Sequence, residues 1–332
     1  MGETATTDIN VAMHYLKRAP ATTPQDQRSL TSTVETLLQS IKTGGRDRVL
    51  ELAATFDDFH GDPRLEIAKV EALASSASSQ ICRDIDAAHA RIQRFAQAQL
   101  ESVQDFEVEL EPGLIAGQRL VPVSTAGCYI PGGRYAHIAS ALMSITTARV
   151  AGVPWITAST PPRDGVLDPV MAYAIAKAGA DEVLLLGGVQ AIGAMAYGIF
   201  GRAPADLLVG PGNAYVSEAK RQLFGEVGID MFAGPTEILV VADDTADPDV
   251  VAEDLVSQAE HGPDSPAWLV TTDDGLANAV LERVPALIAA LPSPSREAAE
   301  YAWQHRGEAV VTTTREEAAA AADRYAPAHL EA

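Results

Sequence analysis

A glutamine and a histidine stand three residues apart in the segment VSQAEHG, at the predicted C-terminal end of a helix. Residues at positions i and i+3 share one helix face, so the side chains of Gln258 and His261 can reach the same metal ion. Two donors do not complete a zinc site, which normally takes four. A histidine at this end of a helix also interacts favourably with the helix dipole. Spacing alone therefore leaves metal binding and helix stabilisation as alternatives.

A second candidate lies in the segment YAPAHLE at residues 325–331. The ordinary pKa of histidine lies near neutrality, so His329 can exchange a proton at physiological pH. This property makes it a candidate general base. The alternative is a solvated histidine near the end of the chain.

Three glycine-rich turns each precede a predicted helix. They are GCYIPGGR at 127–134, GGVQ at 187–190 and GPGN at 210–213. Backbone N–H groups at the start of a helix can bind a phosphate. None of the turns is a G-x-G-x-x-G fingerprint or a Walker loop, and any α/β fold needs glycines at such turns. Three of them at successive strand ends nevertheless predict one ligand crevice lined by several loops.

Two further side chains near the first turn have alternative roles. His137 follows Arg134 and Tyr135 at a predicted helix start, where it could contact a ligand. Cys128 could form a thio-adduct with an aldehyde, but a buried and inert thiol is the favoured interpretation.

The predicted elements change character along the chain. Apolar residues at helical spacing predict helices over 26–42, ended by Gly44-Gly45, and over 81–100. Phe106 to Leu110 alternates like a strand. Short apolar runs then alternate with helices, which predicts parallel sheets with crossover helices, two sheets rather than one. The predicted strands are 155–159, 182–186, 206–209, 237–242, 267–271 and 309–312, and the predicted helices are 137–152, 168–179, 189–198, 214–224, 248–261 and 272–291.

The composition excludes several classes of function. The 332 residues are 47% hydrophobic and 21% charged, which is typical of a soluble globular protein. There is no bilayer-crossing apolar run and no signal peptide, so we expect a cytoplasmic protein that does not bind membranes. The net charge of −21 disfavours nucleic acid as a partner. Two cysteines without a CxxC pair argue against a disulfide framework.

Taken in order, six motifs resemble the histidinol dehydrogenase family. They are GCYIPGG, GGVQAIGAMAYG, VGPGNAYVSEAKR, FGEVGIDMFAGPTEILVVAD, SQAEH and YAPAHLE. The resemblance implies an α/β fold with two incomplete Rossmann-like domains and N-terminal helices, in an intertwined homodimer. It implies an N-terminal arm at 1–23, a first domain at 24–128 and 236–332, and an inserted NAD-binding domain at 129–235.

The resemblance also implies roles for single residues. It implies that NAD is bound by Tyr129, Gln190 and Asn213. Gln258 and His261 would be two zinc ligands, and Thr236 would lie beside the substrate, where many relatives have serine. His329 would be the catalytic base. The implied reaction oxidises a primary alcohol to a carboxylate through a retained aldehyde, with two molecules of NAD.

This chain departs from the family pattern in two places. Relatives typically have YAPEHLE, whereas this chain has Ala328 where they have glutamate. That glutamate is implicated in activating water, so we expect the aldehyde-to-acid half-reaction to be weakened more than alcohol oxidation. The chain also stops at Ala332, before the family's usual end, where the other two zinc ligands ordinarily lie. We therefore expect an incomplete zinc site.

The substrate is predicted from finer resemblance. The segments RYAHIASALM, VELEPGLIAGQRLVPV and QAEHGPDSPAWLVTT resemble the sulfopropanediol dehydrogenase branch more than the histidine-biosynthetic enzyme. That branch oxidises (R)-2,3-dihydroxypropane-1-sulfonate to sulfolactate. An anionic sulfonate needs a cation in this acidic chain, and Arg134 beside His137 is the candidate. Arg134 could equally be a surface residue or contact the NAD pyrophosphate. L-histidinol is the alternative substrate; a metal-dependent hydrolase and a non-catalytic ligand-binding protein are the alternative classes.

Overall fold

The computed structural model describes residues 13–20, 24–132, 137–201, 203–231 and 236–332, apart from the side chains of 24–27. The strands are β1 His14–Lys17, β2 Arg64–Glu66, β3 Phe106–Glu111, β4 Leu114–Gln118, β5 Thr125–Tyr129, β6 Trp155–Thr160, β7 Glu182–Leu185, β8 Leu207–Val209, β9 Gly228–Ile229, β10 Ile238–Ala242, β11 Ala267–Thr271, β12 Glu308–Val311 and β13 Leu330–Glu331. The helices are α1 Pro24–Phe56, α2 Ile67–Ala74, α3 Ser79–Glu101, α4 Ile138–Val150, α5 Pro169–Ala178, α6 Gly188–Ala196, α7 Ala214–Leu223, α8 Pro248–Ala259, α9 Asp274–Ala290, α10 Ser295–Arg306 and α11 Arg315–Tyr325.

The chain folds into two compact units. One, called the inserted unit, spans residues 24–234, and the other, the terminal unit, joins residues 1–23 to 235–332. Each unit has its own sheet and its own buried apolar cores. The predicted fold class is confirmed: the structure is α/β, with mainly parallel sheets and one unit inserted in the other.

The inserted unit is built on a six-stranded sheet of order β2-β7-β6-β5-β8-β9. Strands β5 to β9 are parallel, and only β2, paired with β7, is antiparallel. One core contains residues of α2, α3, α4 and α5, and a second contains residues of α1, α6 and α7. A parallel sheet needs such covering helices because both of its faces are apolar.

The terminal unit has a five-stranded sheet of order β1-β12-β11-β10-β13. Strands β12, β11, β10 and β13 are parallel, and the N-terminal arm adds β1 antiparallel to β12. Helices α8, α9 and α10 contribute to one apolar core, and α11 to another. The last strand, β13, lies at the sheet edge beside β10. This pairing places the segment just before β13 next to the start of β10.

The predicted domain boundary at residues 128 and 129 is wrong. It cuts through β5, which pairs with β6 on one side and β8 on the other. Segment 24–128 belongs to the inserted unit because β2 and β5 are strands of its sheet and α1 packs on α6 and α7. The boundary near residue 235 agrees with the division of the structure.

The predicted elements of the α/β region all have counterparts within a few residues of the observed bounds. Helices α2 and α10 and strand β5 were not among the predicted elements. The predicted helix end at Gly44-Gly45 agrees with the structure. The backbone of Gly45 is non-helical, with φ 57° and ψ −139°, so α1 consists of two helical segments that meet at a kink there. Within the described ranges, no helix is long and apolar enough to span a bilayer.

Acid stability depends in part on a bidentate ion pair in α7. Arg221 donates from Nε to Glu218 Oε2 at 2.7 Å and from Nη2 to Oε1 at 2.6 Å. Hydrogen bonding by Arg221 lowers the pKa of the buried Glu218 carboxyl to about 2, from its ordinary 4.5. A lowered pKa stabilises the fold above pH 4.5, and this stabilisation is lost as the pH falls towards 2.

Replacing Glu218 with glutamine is therefore expected to lower the free energy of unfolding at pH 6 by about 2 kcal/mol, after discounting for the half-exposed Arg221. The difference in free energy of unfolding between the variant and the unchanged chain should shrink between pH 4.5 and pH 3, as measured by urea unfolding. The control is Glu51→Gln, which removes an exposed pair with Arg48 at the same helical spacing. Equal pH dependence in the Glu218 variant and the unchanged chain would contradict this assignment.

Candidate functional site

A ligand crevice in the inserted unit follows from the order of its strands. The chain passes from β5 to β6 and β7 on one side, then returns to β8 and β9 on the other side of β5. The strand order therefore reverses between β5 and β8. In open parallel sheets ligands bind outside the carboxyl ends of the strands at such a switch point. Tyr129 ends β5, and Gly210 directly follows β8.

Tyr129 and Gln190 both contact the turn that begins α6. The Gly188 N–H donates to the Tyr129 hydroxyl at 3.1 Å. Gln190 Nε2 donates to Asp57 Oδ2 at 3.0 Å, and the Gly187 N–H donates to the same oxygen at 3.0 Å. Burial raises the pKa of the Tyr129 phenol to about 12, so it remains neutral at physiological pH. Asp57 thus orients the glutamine and the start of α6 together.

The loop after β8 is held by a buried ion pair. Lys220 is fully buried and donates to the Gly210 carbonyl at 2.9 Å. Asp230 pairs with Lys220 and accepts from the Gly210 N–H at 2.8 Å. Gly210 has φ 118°, and a Cβ there would lie 2.0 Å from the Tyr129 carbonyl oxygen. Only glycine fits at this close approach of the two loops.

Asn213 begins α7 at the same edge of the sheet. Its Oδ1 accepts from the N–H groups of Tyr215 and Val216, each at 3.1 Å, which caps the helix. The Nδ2 group is the donor that such a cap does not use. The structure thus places Tyr129, Gln190 and Asn213 on loops and helix starts that follow the carboxyl ends of strands of one sheet.

The terminal unit brings together the second set of predicted residues. Gln258 is buried in the last turn of α8 and donates from Nε2 to the Thr236 carbonyl at 2.6 Å and to Thr236 Oγ1 at 2.8 Å. These bonds leave the amide oxygen as the atom of Gln258 that can bind a cation. His261 lies just past α8, and its N–H donates to the Gln258 carbonyl at 3.1 Å.

His329 is held against the start of β10. Its Nδ1 lies 3.0 Å from the Glu237 carbonyl oxygen, and its own carbonyl accepts from the Leu239 N–H at 3.0 Å. The Ala328 N–H donates to Glu237 Oε1 at 2.8 Å. His329 is exposed, as is the methyl group of Ala328.

Electrostatic coupling links the two histidines. Burial lowers the pKa of His261; the charge of Glu260 opposes this shift and that of His329 adds to it. A lowered pKa keeps the imidazole neutral, which is the form that binds metals. Thr236, Gln258, His261 and His329 thus form one polar site in the terminal unit.

These residues fit only part of a zinc site. Gln258 and His261 offer an amide oxygen and a neutral imidazole, whereas a tetrahedral zinc ion takes four ligands. Across the described ranges, no group of three histidine, cysteine, aspartate or glutamate side chains is arranged to hold a metal. Any further zinc ligands would have to be residues other than Gln258 and His261.

Three residues near the first turn complete the set of predicted site residues. Arg134 lies outside the described residues. His137 is partly exposed and precedes α4 as its N-cap residue, on the carboxyl side of β5. Cys128 is fully buried in β5, and burial raises the pKa of its thiol to about 12. The inert interpretation of Cys128 is therefore supported, since a reactive cysteine needs a lowered pKa and access.

Four residues that hold the site residues in place were not predicted from the sequence: Asp57, Lys220, Asp230 and Glu237. Asp57 is distant in sequence from the glutamine it binds. From the sequence alone, Lys220 cannot be told apart from an exposed lysine on an amphipathic helix. In the structure it is fully buried. A buried lysine is uncommon unless paired, but the sequence carries no mark of its burial.

Comparison with known proteins places the chain in a family. Residues 21–332 match the family model described as histidinol dehydrogenase. The chain belongs to the histidinol dehydrogenase family. Within this family it is 53% identical to a histidinol dehydrogenase homolog of Ruegeria pomeroyi, over 95% of this chain and 73% of that protein. It is 49% identical to sulfopropanediol 3-dehydrogenase of the same organism, over 96% and 74%.

Two further members of the family are less similar to this chain. The histidinol dehydrogenase of Gluconobacter oxydans is 40% identical over 92% of this chain and 71% of that protein. The crystal structure of histidinol dehydrogenase from Elizabethkingia anophelis superposes with a TM-score of 0.83 at 33% identity, covering 94% of this chain and 71% of that one. The family is one of dehydrogenases, so the chain is of an oxidoreductase family.

Proposed function

We propose that this chain oxidises a primary alcohol, (R)-2,3-dihydroxypropane-1-sulfonate, with NAD as the electron acceptor and zinc as the metal. The observation that carries the chemistry is the polar site in the terminal unit, where Thr236, Gln258, His261 and His329 meet. The substrate rests on the relative named sulfopropanediol 3-dehydrogenase, to which the chain is 49% identical.

In this proposal, residues of the terminal unit bind the substrate oxygen. The Gln258 amide oxygen and the His261 imidazole would hold zinc together with donors from outside this set, and zinc bound there lowers the cost of deprotonating a hydroxyl group. Thr236, already hydrogen-bonded to Gln258, orients that glutamine. His329 accepts the hydroxyl proton as general base.

In this proposal, residues of the inserted unit bind NAD. Tyr129, Gln190 and Asn213 would bind it at the switch point, where the start of α7 offers backbone N–H groups of the kind that bind phosphate. Bound NAD would supply the hydride acceptor for the alcohol carbon. The contacts that support this role are those of Asp57 to Gln190 and of Lys220 and Asp230 to Gly210, because they fix the loops before any ligand arrives.

The second half-reaction, from aldehyde hydrate to carboxylate, lacks one group in this chain. Ala328 offers no base for water beside His329. We therefore propose that alanine at this position slows aldehyde oxidation by about 10²–10⁴-fold, the factor that a positioned base contributes, and weakens alcohol oxidation less.

Recognition of the anionic end of the substrate is proposed for Arg134, with His137 beside it in sequence at the start of α4. A homodimer is also part of the proposal, as the resemblance implies. L-histidinol remains the second candidate substrate, since the chain is 40% identical to the histidinol dehydrogenase of Gluconobacter oxydans. That substrate would require an acceptor for its ammonium group instead of a cation.

The test is NADH formation with zinc present, from 2,3-dihydroxypropane-1-sulfonate and L-histidinol in parallel. The assay uses this chain and the same chain extended by the C-terminal segment of the 53% identical relative. Turnover of the sulfonate alone supports the proposal. Turnover of histidinol alone replaces the substrate and removes the role of Arg134. Hydrolysis without NAD would indicate a hydrolase, and binding without turnover in either chain a ligand-binding protein.

A further inference from the structure

We infer that Glu237 is a positioning residue that fixes both the place and the tautomer of His329. The inference deepens the proposed function, since it rests on His329 being the base. Glu237 lies in the motif FGEVGIDMFAGPTEILVVAD, between Thr236 and the first residue of β10, but the resemblance implied no role for it. Its importance comes from contacts made by both its side chain and its backbone.

Glu237 and Leu239 hold the segment of Ala328 and His329 by three hydrogen bonds. The Glu237 carboxylate accepts from the Ala328 N–H at 2.8 Å, and its carbonyl lies 3.0 Å from His329 Nδ1. The Leu239 N–H donates to the His329 carbonyl at 3.0 Å. The last bond continues into the parallel pairing of β13 with β10. The backbone and the ring of His329 are therefore both tied to one short stretch of chain.

Hydrogen bonds are needed to position this segment because the two residues before it are not in regular structure. Helix α11 ends at Tyr325, and its C-cap residue Ala326 is a non-glycine residue in the left-handed region, with φ 45° and ψ 54°. Pro327 follows and has no N–H to donate. His329 itself is exposed, so apolar packing does not hold its ring. The Glu237 carboxylate accepts the first N–H available after the proline, which fixes the direction in which the chain enters β13.

The contact between His329 Nδ1 and the Glu237 carbonyl oxygen assigns the tautomer of the His329 ring. A carbonyl oxygen can only accept a hydrogen bond, so the nitrogen that faces it, Nδ1, must carry the hydrogen. In the neutral ring the other nitrogen, Nε2, is then the one with a lone pair. The structure thus assigns proton acceptance to Nε2 of His329. A solvent-exposed imidazole prefers the opposite tautomer, so the preference must come from the Glu237 carbonyl.

The test is the tautomer of His329 by two-bond ¹H–¹⁵N correlation on ¹⁵N-histidine-labelled full chain, at a pH about two units above the ordinary histidine pKa, where the ring is neutral. The seven histidines are told apart by the signal lost in His329→Gln. We expect protonated Nδ1 and unprotonated Nε2. Glu237→Ala keeps the backbone carbonyl but removes the carboxylate that holds the Ala328 N–H, so the ring of His329 is no longer kept against that carbonyl and the signal should shift towards the Nε2–H tautomer. Glu237→Gln, which keeps an acceptor oxygen in the side chain, should restore the original pattern. An Nε2–H tautomer in the unchanged chain would overturn the inference.

Activity provides the second readout. Glu237→Ala should lower kcat by about 10- to 100-fold, as loss of an orienting partner typically does, with KM nearly unchanged, and Glu237→Gln should recover most of it. Glu253→Ala, which removes an exposed carboxylate on α8, is the control. An unchanged tautomer and kcat in Glu237→Ala would contradict the inference. No turnover of any substrate together with the expected tautomer would refute the proposed function and leave this inference standing.

Discussion

Replacement of His329 by glutamine is expected to slow alcohol oxidation by about 10²–10⁴-fold, because the hydroxyl proton then has no positioned acceptor. Glutamine occupies a similar volume and cannot take up a proton near neutral pH. The affinity for NAD should stay the same, since the proposed NAD residues belong to the inserted unit and His329 to the terminal unit. The measurements are the initial rate of NADH formation and a fluorescence titration with NAD.

The control for this variant is His305→Gln. His305 lies in α10 of the same unit, where its ring stacks on Tyr301 with centroids 4.3 Å apart. It takes no part in the proposed site, so its replacement should leave the rate within about twofold of the unchanged chain, because changes away from the site are usually small. A His329→Gln rate reduced no more than that of His305→Gln would refute the role of His329.

Installing glutamate at position 328 is expected to accelerate aldehyde oxidation by about 10²–10⁴-fold, with little change in alcohol oxidation. The backbone there is already held by the Glu237 carboxylate, and the Ala328 side chain is exposed, so a longer side chain has room. The measurement is the rate of NADH formation from the aldehyde supplied directly.

The matched variant is Ala328→Gln, which has nearly the shape of glutamate but cannot act as a base. It should oxidise the aldehyde no faster than the unchanged chain. If the glutamine and glutamate variants were equally fast, the gain would come from packing or binding, and the lesion assigned to Ala328 would be refuted.

The order of elements was predictable because the apolar periodicity is strong. Each strand of the α/β region is a short apolar run that ends near a glycine or a polar turn, as with Ala267–Thr271, whose bounds matched those observed. Helix α10 was missed because its exposed face is highly polar and its buried face is built from alanines and Trp303, which give little periodic signal. The domain boundary failed for another reason: strand pairing is not local, and nothing in 125–129 shows that it lies between β6 and β8.

The residues of the candidate site could be predicted from the sequence, but the residues that hydrogen-bond to them and orient them could not. Motifs indicated Gln258 and His261 by their spacing, and the structure joins Gln258 to Thr236 as well. The partners that orient these groups come from distant parts of the chain. Asp57 reaches Gln190 across 133 residues, and Glu237 reaches His329 across 92. Contacts over such separations depend on the tertiary fold, so a single sequence does not reveal them.

In the proposed reaction this chain passes electrons from the alcohol to NAD and then stalls at the aldehyde because of Ala328. The most direct measurement is the yield of NADH per molecule of 2,3-dihydroxypropane-1-sulfonate consumed, together with the identity of the product, in the extended chain with zinc. We expect one NADH per alcohol and accumulation of the aldehyde. Two NADH per alcohol with only the carboxylate as product would contradict the effect assigned to Ala328, and alcohol consumption without NADH would contradict the proposed function.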